Sequence, residues 1–216
     1  MADRAGSEPE EPSSGRYVAI VLIAICVSVE LVLQLADLSI VPVPRLRALA
    51  FEYGAFWPGL LRDWRPNYVI QPWTMFVTYG FLHAGLMHLS FNMLTLWQLG
   101  GVIIVRIGGI GFLALYMVSM VFGALAFGLT TTNGQPMVGA SGALFGLAGA
   151  LVAWAWVSRP DTRASLRATW KALSFLLLIN VVMYLAFAGR IAWETHLGGF
   201  IAGWISGLVL LRRGAR

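Results

Sequence analysis

Three histidines, one serine and one asparagine are the residues of this chain best suited to chemistry. Ser141 stands in Gly139-Ala140-Ser141-Gly142, His196 opens His196-Leu197-Gly198-Gly199, and His88 precedes Asn92 by four. A serine hydroxyl becomes a nucleophile when a neighbouring base takes its proton, and imidazole titrates in the useful range. The oxyanion that follows needs positioned donors. Backbone N–H groups at a helix start are unsatisfied by the helix and carry its positive dipole end. His88 and Asn92, on one helical face, can add side-chain donors. Each feature also has a plain use: helix packing for the glycine-flanked serine, interfacial anchoring for a histidine, an interhelical hydrogen bond for His88 and Asn92. A metal is not expected, because His83 and His88 are five apart, off the i,i+4 face, and no His-Glu-x-x-His occurs. No cofactor is expected either.

The elements that must position these groups are membrane spans. Hydrophobic residues make up 58% of the 216 positions and charged residues 12%, with mean hydropathy +0.75; a soluble domain carries about 25% charge. Six apolar runs approach the ~20 residues that cross a hydrocarbon core: Tyr17–Leu38, Leu86 to about Ile104, Ile110–Leu129, Val138–Val157, Ala172–Ala188 and Ile191–Leu211. The spacing predicts an all-α polytopic membrane protein with a six-helix domain over residues 17–211. Residues 1–16, acidic and Pro/Ser-rich, are expected to be a disordered cytoplasmic tail, and residues 212–216 a basic one. Arg159, Arg163, Arg167 and Lys171, then Arg212, Arg213 and Arg216, follow the fourth and sixth runs. The positive-inside rule makes those segments, and so both termini, cytoplasmic. The net charge of +5 then reflects topology, and nucleic acid is not an expected partner.

With that orientation the second, fourth and sixth spans run inward from the outer face, and His88, Ser141 and His196 lie in their first turns, at one depth. Gly142, Gly146 and Gly149 form a small-residue stripe on the fourth span, and Gly199, Gly203 and Gly207 one on the sixth. Such stripes let helix backbones approach closely, which predicts that Ser141 meets His196. The loop from Ser39 to Tyr79 holds Trp57, Trp64 and Trp73 among five prolines, a pattern for a structured element in the outer interface rather than a linker. Glu30, Gln34 and Asp37 in the first span are expected to face the bundle or a wet crevice. Cys26, the single cysteine, is expected to be a packing residue.

Over about Gln71 to Gly207 the chain resembles the rhomboid proteases. The stretch FLHAGLMHLSFNM (Phe81–Met93) is similar to the family's His-x4-His-x3-Asn pattern, GASGALFG (Gly139–Gly146) to its Gly-x-Ser-Gly motif, and HLGGFIAG (His196–Gly203) to its His-x2-Gly-x3-Gly. The resemblance implies a six-helix rhomboid-like bundle with a long interfacial first loop. Its activity would be that of an intramembrane serine endopeptidase with a Ser141–His196 dyad and no acidic third member. It further implies an oxyanion hole of His88, Asn92 and the Ser141 N–H, a supporting role for His83, and Phe145 stacked on the base. Single-span transmembrane proteins would be its substrates, cut near the outer face of a bilayer, most simply a bacterial inner membrane.

Two departures from the family stand out. Trp73 is followed by Thr74 where relatives have arginine, and Ile104 occupies the acidic position that would pair with Arg106. Glu194, two residues before His196, points away from it on a helix and is assigned to the outer surface. A catalytically inactive rhomboid-like scaffold is the alternative function, and a small transporter or channel a third; the retained serine and histidine argue against the first, and the lack of paired midplane charges against the second.

Overall fold

Apolar runs free of proline become the long helices, and the prolines fall between them. The computed structural model describes residues 13–132, 134–158 and 191–214, with scattered positions between 163 and 184. The order is α1 (Ser13–Asp37), α2 (Leu46–Gly54), a 3-10 turn (Pro58–Leu61), α3 (Gln71–Thr78), a second 3-10 turn (Tyr79–Phe81), α4 (Leu86–Thr130), α5 (Ser141–Val157) and α6 (Trp193–Gly214). The described residues are helical apart from loops and one isolated antiparallel bridge, Phe56 to Met137. α1 and α4 are long and apolar enough to cross a membrane. The fifth expected span, Ala172–Ala188, falls almost wholly outside the described residues.

Two boundaries differ from the sequence expectation. α1 begins at Ser13, inside the expected tail, because its first turn has a packing partner: a Cβ on Gly15 would stand 2.5 Å from the Ile104 side chain and 3.3 Å from the Gly109 backbone. The second and third expected spans are one helical run, α4, broken at Gly108 (φ 73, ψ 172), a backbone state that glycine alone adopts readily. The break reverses the chain. A Cβ on Gly100 would lie 3.3 Å from the Phe112 ring, whereas twelve residues of straight helix would separate them by about 18 Å.

α1 packs on the rest through Ala19, Leu22, Cys26 and Leu33, all buried, at the three- and four-residue spacing of one helical face. Cys26 is fully buried in the main apolar cluster. At the far end of α5 from Ser141, Trp154 is buried, its indole N–H donating to the Gly207 carbonyl at 2.8 Å. The Arg106 guanidinium lies 4.6 Å over the same ring. With Ile104 in place of an acid, this cation–π contact gives Arg106 an aromatic partner.

The first loop is structured, as its tryptophans suggested. Trp57 packs on Trp64 with ring centroids 5.9 Å apart, and Arg62 donates to the Thr131 carbonyl at 2.8 Å. Thr74, at the departed arginine position, shares a 2.7 Å hydrogen bond with Tyr68, whose hydroxyl also lies 3.0 Å from the Tyr53 carbonyl.

Candidate active site

The turn that bears Ser141 is fixed from the first loop. Phe56 and Met137 exchange both backbone hydrogen bonds at 3.0 Å, and the Gly139 N–H donates to the Tyr79 carbonyl at 2.9 Å. Gly139 takes φ 119, where a side chain is strained. A Cβ there would also stand 2.6 Å from the His88 ring. The chain therefore enters α5 past His88 with no side chain between them. Ser141 is the first residue of α5, so its N–H belongs to the unsatisfied donors of the helix start.

His196 reaches Ser141 because α5 and α6 touch backbone to backbone. A Cβ on Gly199 would stand 2.0 Å from the Gly142 carbonyl oxygen, and one on Gly203 1.9 Å from that of Gly146. Gly149 meets the Phe200 carbonyl in the same way, at 2.2 Å. Both stripes are thus contact surfaces, and they bring His196 Nε2 to 2.8 Å from Ser141 Oγ. The Phe145 ring, one turn down α5, stacks on the imidazole with centroids 4.3 Å apart and planes 6° from parallel. His196 is 8% exposed and Ser141 partly exposed, so the base is largely out of water while the hydroxyl stays accessible. With Nδ1 protonated, the neutral ring offers Nε2 as acceptor to the serine hydroxyl.

Donors converge from α4. His88 lies beside Gly139, and its Nδ1 accepts from the Ala84 N–H at 3.3 Å. An accepting Nδ1 leaves the proton of the neutral ring on Nε2, the atom a Gly139 Cβ would meet at 2.9 Å. Asn92 Nδ2 is 3.5 Å from the same point. It is buried and has no hydrogen-bond partner among the described residues, an expensive state for an amide unless a ligand oxygen arrives to accept from it. His83 is fully buried, its ring edge-on to His88 at 5.2 Å. Glu194 is partly buried on α6.

Sequence reasoning missed three contributors. Tyr79 is fully buried, sends its hydroxyl to the Met120 carbonyl at 2.8 Å and holds Gly139 by its own carbonyl; nothing in its spacing marks it. Thr195 is buried against Gly142 and Gly123 and donates to the Met137 sulfur. Arg47 is the third. It binds Glu30 Oε1 at 2.9 Å, Glu30 Oε2 at 3.0 Å, Asp37 Oδ2 at 2.6 Å and the His83 carbonyl at 3.1 Å. Glu30 and Asp37, seven apart on one face of α1, were the signal that a cation had to come from elsewhere.

Comparison with known proteins follows the same residues. Residues 70–213 match the family model described as Rhomboid domain. RHOMBOID-like protein 5 of Arabidopsis thaliana is 35% identical over 136 residues, covering 61% of this chain and 42% of that protein. The Rhomboid protease GluP of Bacillus subtilis (strain 168) is 31% identical over 138 residues, 64% of this chain and 26% of that protein. The Rhomboid protease GlpG of Yersinia pestis (strain Pestoides F) is 32% identical over 151 residues, 68% of this chain and 51% of that protein. The chain thus spans between a quarter and about half the length of these relatives.

Proposed function

The chain belongs to the rhomboid family, a family of integral membrane serine proteases, and from that premise we propose that it is itself an intramembrane endopeptidase working by a Ser141–His196 dyad. The observation that carries the proposal is the 2.8 Å Oγ–Nε2 contact between residues 55 positions apart, flanked by a buried amide donor with nothing to donate to among the described residues.

Ser141 Oγ attacks the carbonyl carbon of the scissile bond while His196 Nε2 takes its proton. The tetrahedral oxyanion accepts hydrogen bonds from the Ser141 N–H, His88 Nε2–H and Asn92 Nδ2. His196 then gives its proton to the leaving nitrogen, the C–N bond breaks, and an ester remains on Ser141. Water, deprotonated by His196, attacks that ester; its C–O bond breaks and the proton returns to Ser141. Phe145 holds the imidazole plane throughout, and Gly139, Gly142, Gly199 and Gly203 keep the helices close enough for the dyad. His83 supports His88 from behind.

Substrates are single-span membrane proteins cut near the outer end of the span, where helix-breaking residues free a peptide bond for attack. Both termini are cytoplasmic, and the membrane is a plasma membrane of the bacterial inner type. The experiment is labelling of detergent-solubilised protein with a fluorophosphonate, with cleavage of a transmembrane test substrate in parallel. Ser141→Ala or His196→Ala abolishes both, and the double variant is no worse than either single. Labelling that survives Ser141→Ala ends the proposal. Products mapped to the cytoplasmic side of the test span overturn the orientation alone.

A further inference from the structure

The peptide group joining His83 to Ala84 is engaged on both sides. Its carbonyl accepts from Arg47 Nη1 at 3.1 Å, and its N–H donates to His88 Nδ1 at 3.3 Å. The described chain has no cis peptide bond, so carbonyl and N–H point in opposite directions, with the guanidinium on one side and the imidazole on the other. Donation from a cation to the carbonyl polarises the amide and strengthens its N–H as a donor. The same N–H dictates that His88 keeps its proton on Nε2, toward Gly139.

Arg47 is itself anchored. Glu30 is fully buried, and both its oxygens are taken by the two terminal nitrogens of Arg47, while Nε holds Asp37. Burial works to lower the Arg47 pKa, but the hydrogen bonds to Glu30 and Asp37 outweigh it and leave it raised, so the cation is permanent. The connection that brings Arg47 to α1 holds Ser39 and Arg45, both at φ 61, a left-handed state that non-glycine residues keep only when the surroundings impose it. Glu30, Asp37 and Arg47 all lie outside the residues that match the Rhomboid domain.

We propose that Arg47 is a positioning residue for the oxyanion hole: anchored by Glu30 and Asp37, it holds the His83–Ala84 peptide so that the Ala84 N–H fixes the ring orientation and tautomer of His88. The proposal rests on the peptidase function above and adds to it a link from α1 to the reaction centre. Arg47 touches no reacting atom, so its effect must pass through His88.

A double-variant cycle on the 216-residue chain in detergent tests this. Arg47→Gln, His88→Ala and the pair are compared by kcat and KM on a transmembrane substrate and by fluorophosphonate labelling rate, each normalised to folded protein. Arg47→Gln is expected to lower kcat about tenfold with KM unchanged, less than the ~10²- to 10³-fold loss on removing an oxyanion donor outright. In the His88→Ala background the same change costs less than about twofold, because the two act as a unit. Should Arg47→Gln not fold, Arg47→Lys serves. It keeps the charge beside Glu30, but as a compact ammonium it cannot hold Glu30, Asp37 and the carbonyl together, and about a threefold loss of kcat that vanishes without His88 is expected. An equal loss in both backgrounds means Arg47 only stabilises the fold and overturns the proposal, as does a variant with wild-type kcat. If the unaltered protein neither labels nor cleaves, the peptidase function fails and takes this proposal with it. An active protein indifferent to Arg47 sinks this proposal alone.

Discussion

Adding one methyl group at Gly203 tests whether the glycine contact between α5 and α6 sets the dyad. An alanine Cβ there would stand 1.9 Å from the Gly146 carbonyl oxygen, where carbon and oxygen normally approach to about 3.3 Å. The obstacle is backbone, so no side chain can rotate away, and α6 has to retreat by about 1.4 Å to restore an ordinary contact. His196 lies two turns above on the same helix. If half the retreat reaches it, the 2.8 Å bond to Ser141 stretches past the ~3.2 Å limit of a useful hydrogen bond. A misplacement near 1 Å in a catalytic constellation can cost about 10² in rate, and overpacking costs roughly 1–3 kcal/mol of stability. Gly203→Ala should therefore lower kcat and the labelling rate about a hundredfold, with a reduced thermal midpoint in detergent. Gly101→Ala is the control: its Cβ would meet nothing within 4 Å, and rate and midpoint should stay at wild type or rise slightly. Wild-type kcat in folded Gly203→Ala protein would refute the claim that backbone contact of the two helices positions the dyad.

Other substitutions separate chemistry from packing. Asn92→Ala should lower kcat about 10²- to 10³-fold with little change in KM; because Nδ2 has no partner among the described residues, the thermal midpoint should not fall, and a clear drop would mark Asn92 as structural. Phe145→Leu removes the ring stacked on His196, a contact worth ~0.5–1.5 kcal/mol. That converts to about a two- to tenfold loss in kcat if it orients the imidazole, and an unchanged kcat would deny it that role. Trp154→Phe deletes the hydrogen bond to Gly207 and weakens the Arg106 contact. It should lose about 0.5–1.5 kcal/mol of stability, the net worth of one intramolecular hydrogen bond, while the folded fraction keeps its specific activity.

Much of the site was legible because membrane helices impose simple rules. Helix direction sets depth, so histidines and a serine in the first turns of spans running the same way must share a level, and small-residue stripes reveal which faces meet. The Ser141–His196 contact follows from those two facts, whereas the Phe145 stack is legible only through the resemblance to the family. Parts built by loops were not legible. The Phe56–Met137 bridge joins residues 81 positions apart through backbone groups, and backbone pairing leaves no trace in side-chain type. Tyr79 acts through its carbonyl for the same reason. The α1 start at Ser13 was missed because its partner, Gly109, sits beside a chain reversal that composition places only loosely. Arg47 was half legible: two acids on one face of an apolar helix demand a cation, but five arginines between residues 45 and 106 could have supplied it.

The pattern of what was missed bears on how such a site holds its geometry. Helix packing sets the separation of Ser141 and His196, since they ride on α5 and α6 and the glycine contacts between those helices are backbone to backbone. The oxyanion donors cannot be fixed that way, because His88 stands at the very start of α4, after a loop with Gly85 at φ 107. A helix start is where backbone order is weakest. That end is held instead by polar contacts from outside: the Phe56–Met137 bridge and the Tyr79 carbonyl on the serine side, the Arg47 guanidinium on the histidine side. Apolar packing tolerates shifts of a few tenths of an ångström, whereas a charge-assisted hydrogen bond to one peptide oxygen does not. The division is therefore a physical one. Close-packed glycines set the distance between Ser141 and His196, and directional hydrogen bonds from the first loop set the angle of the proposed oxyanion donors.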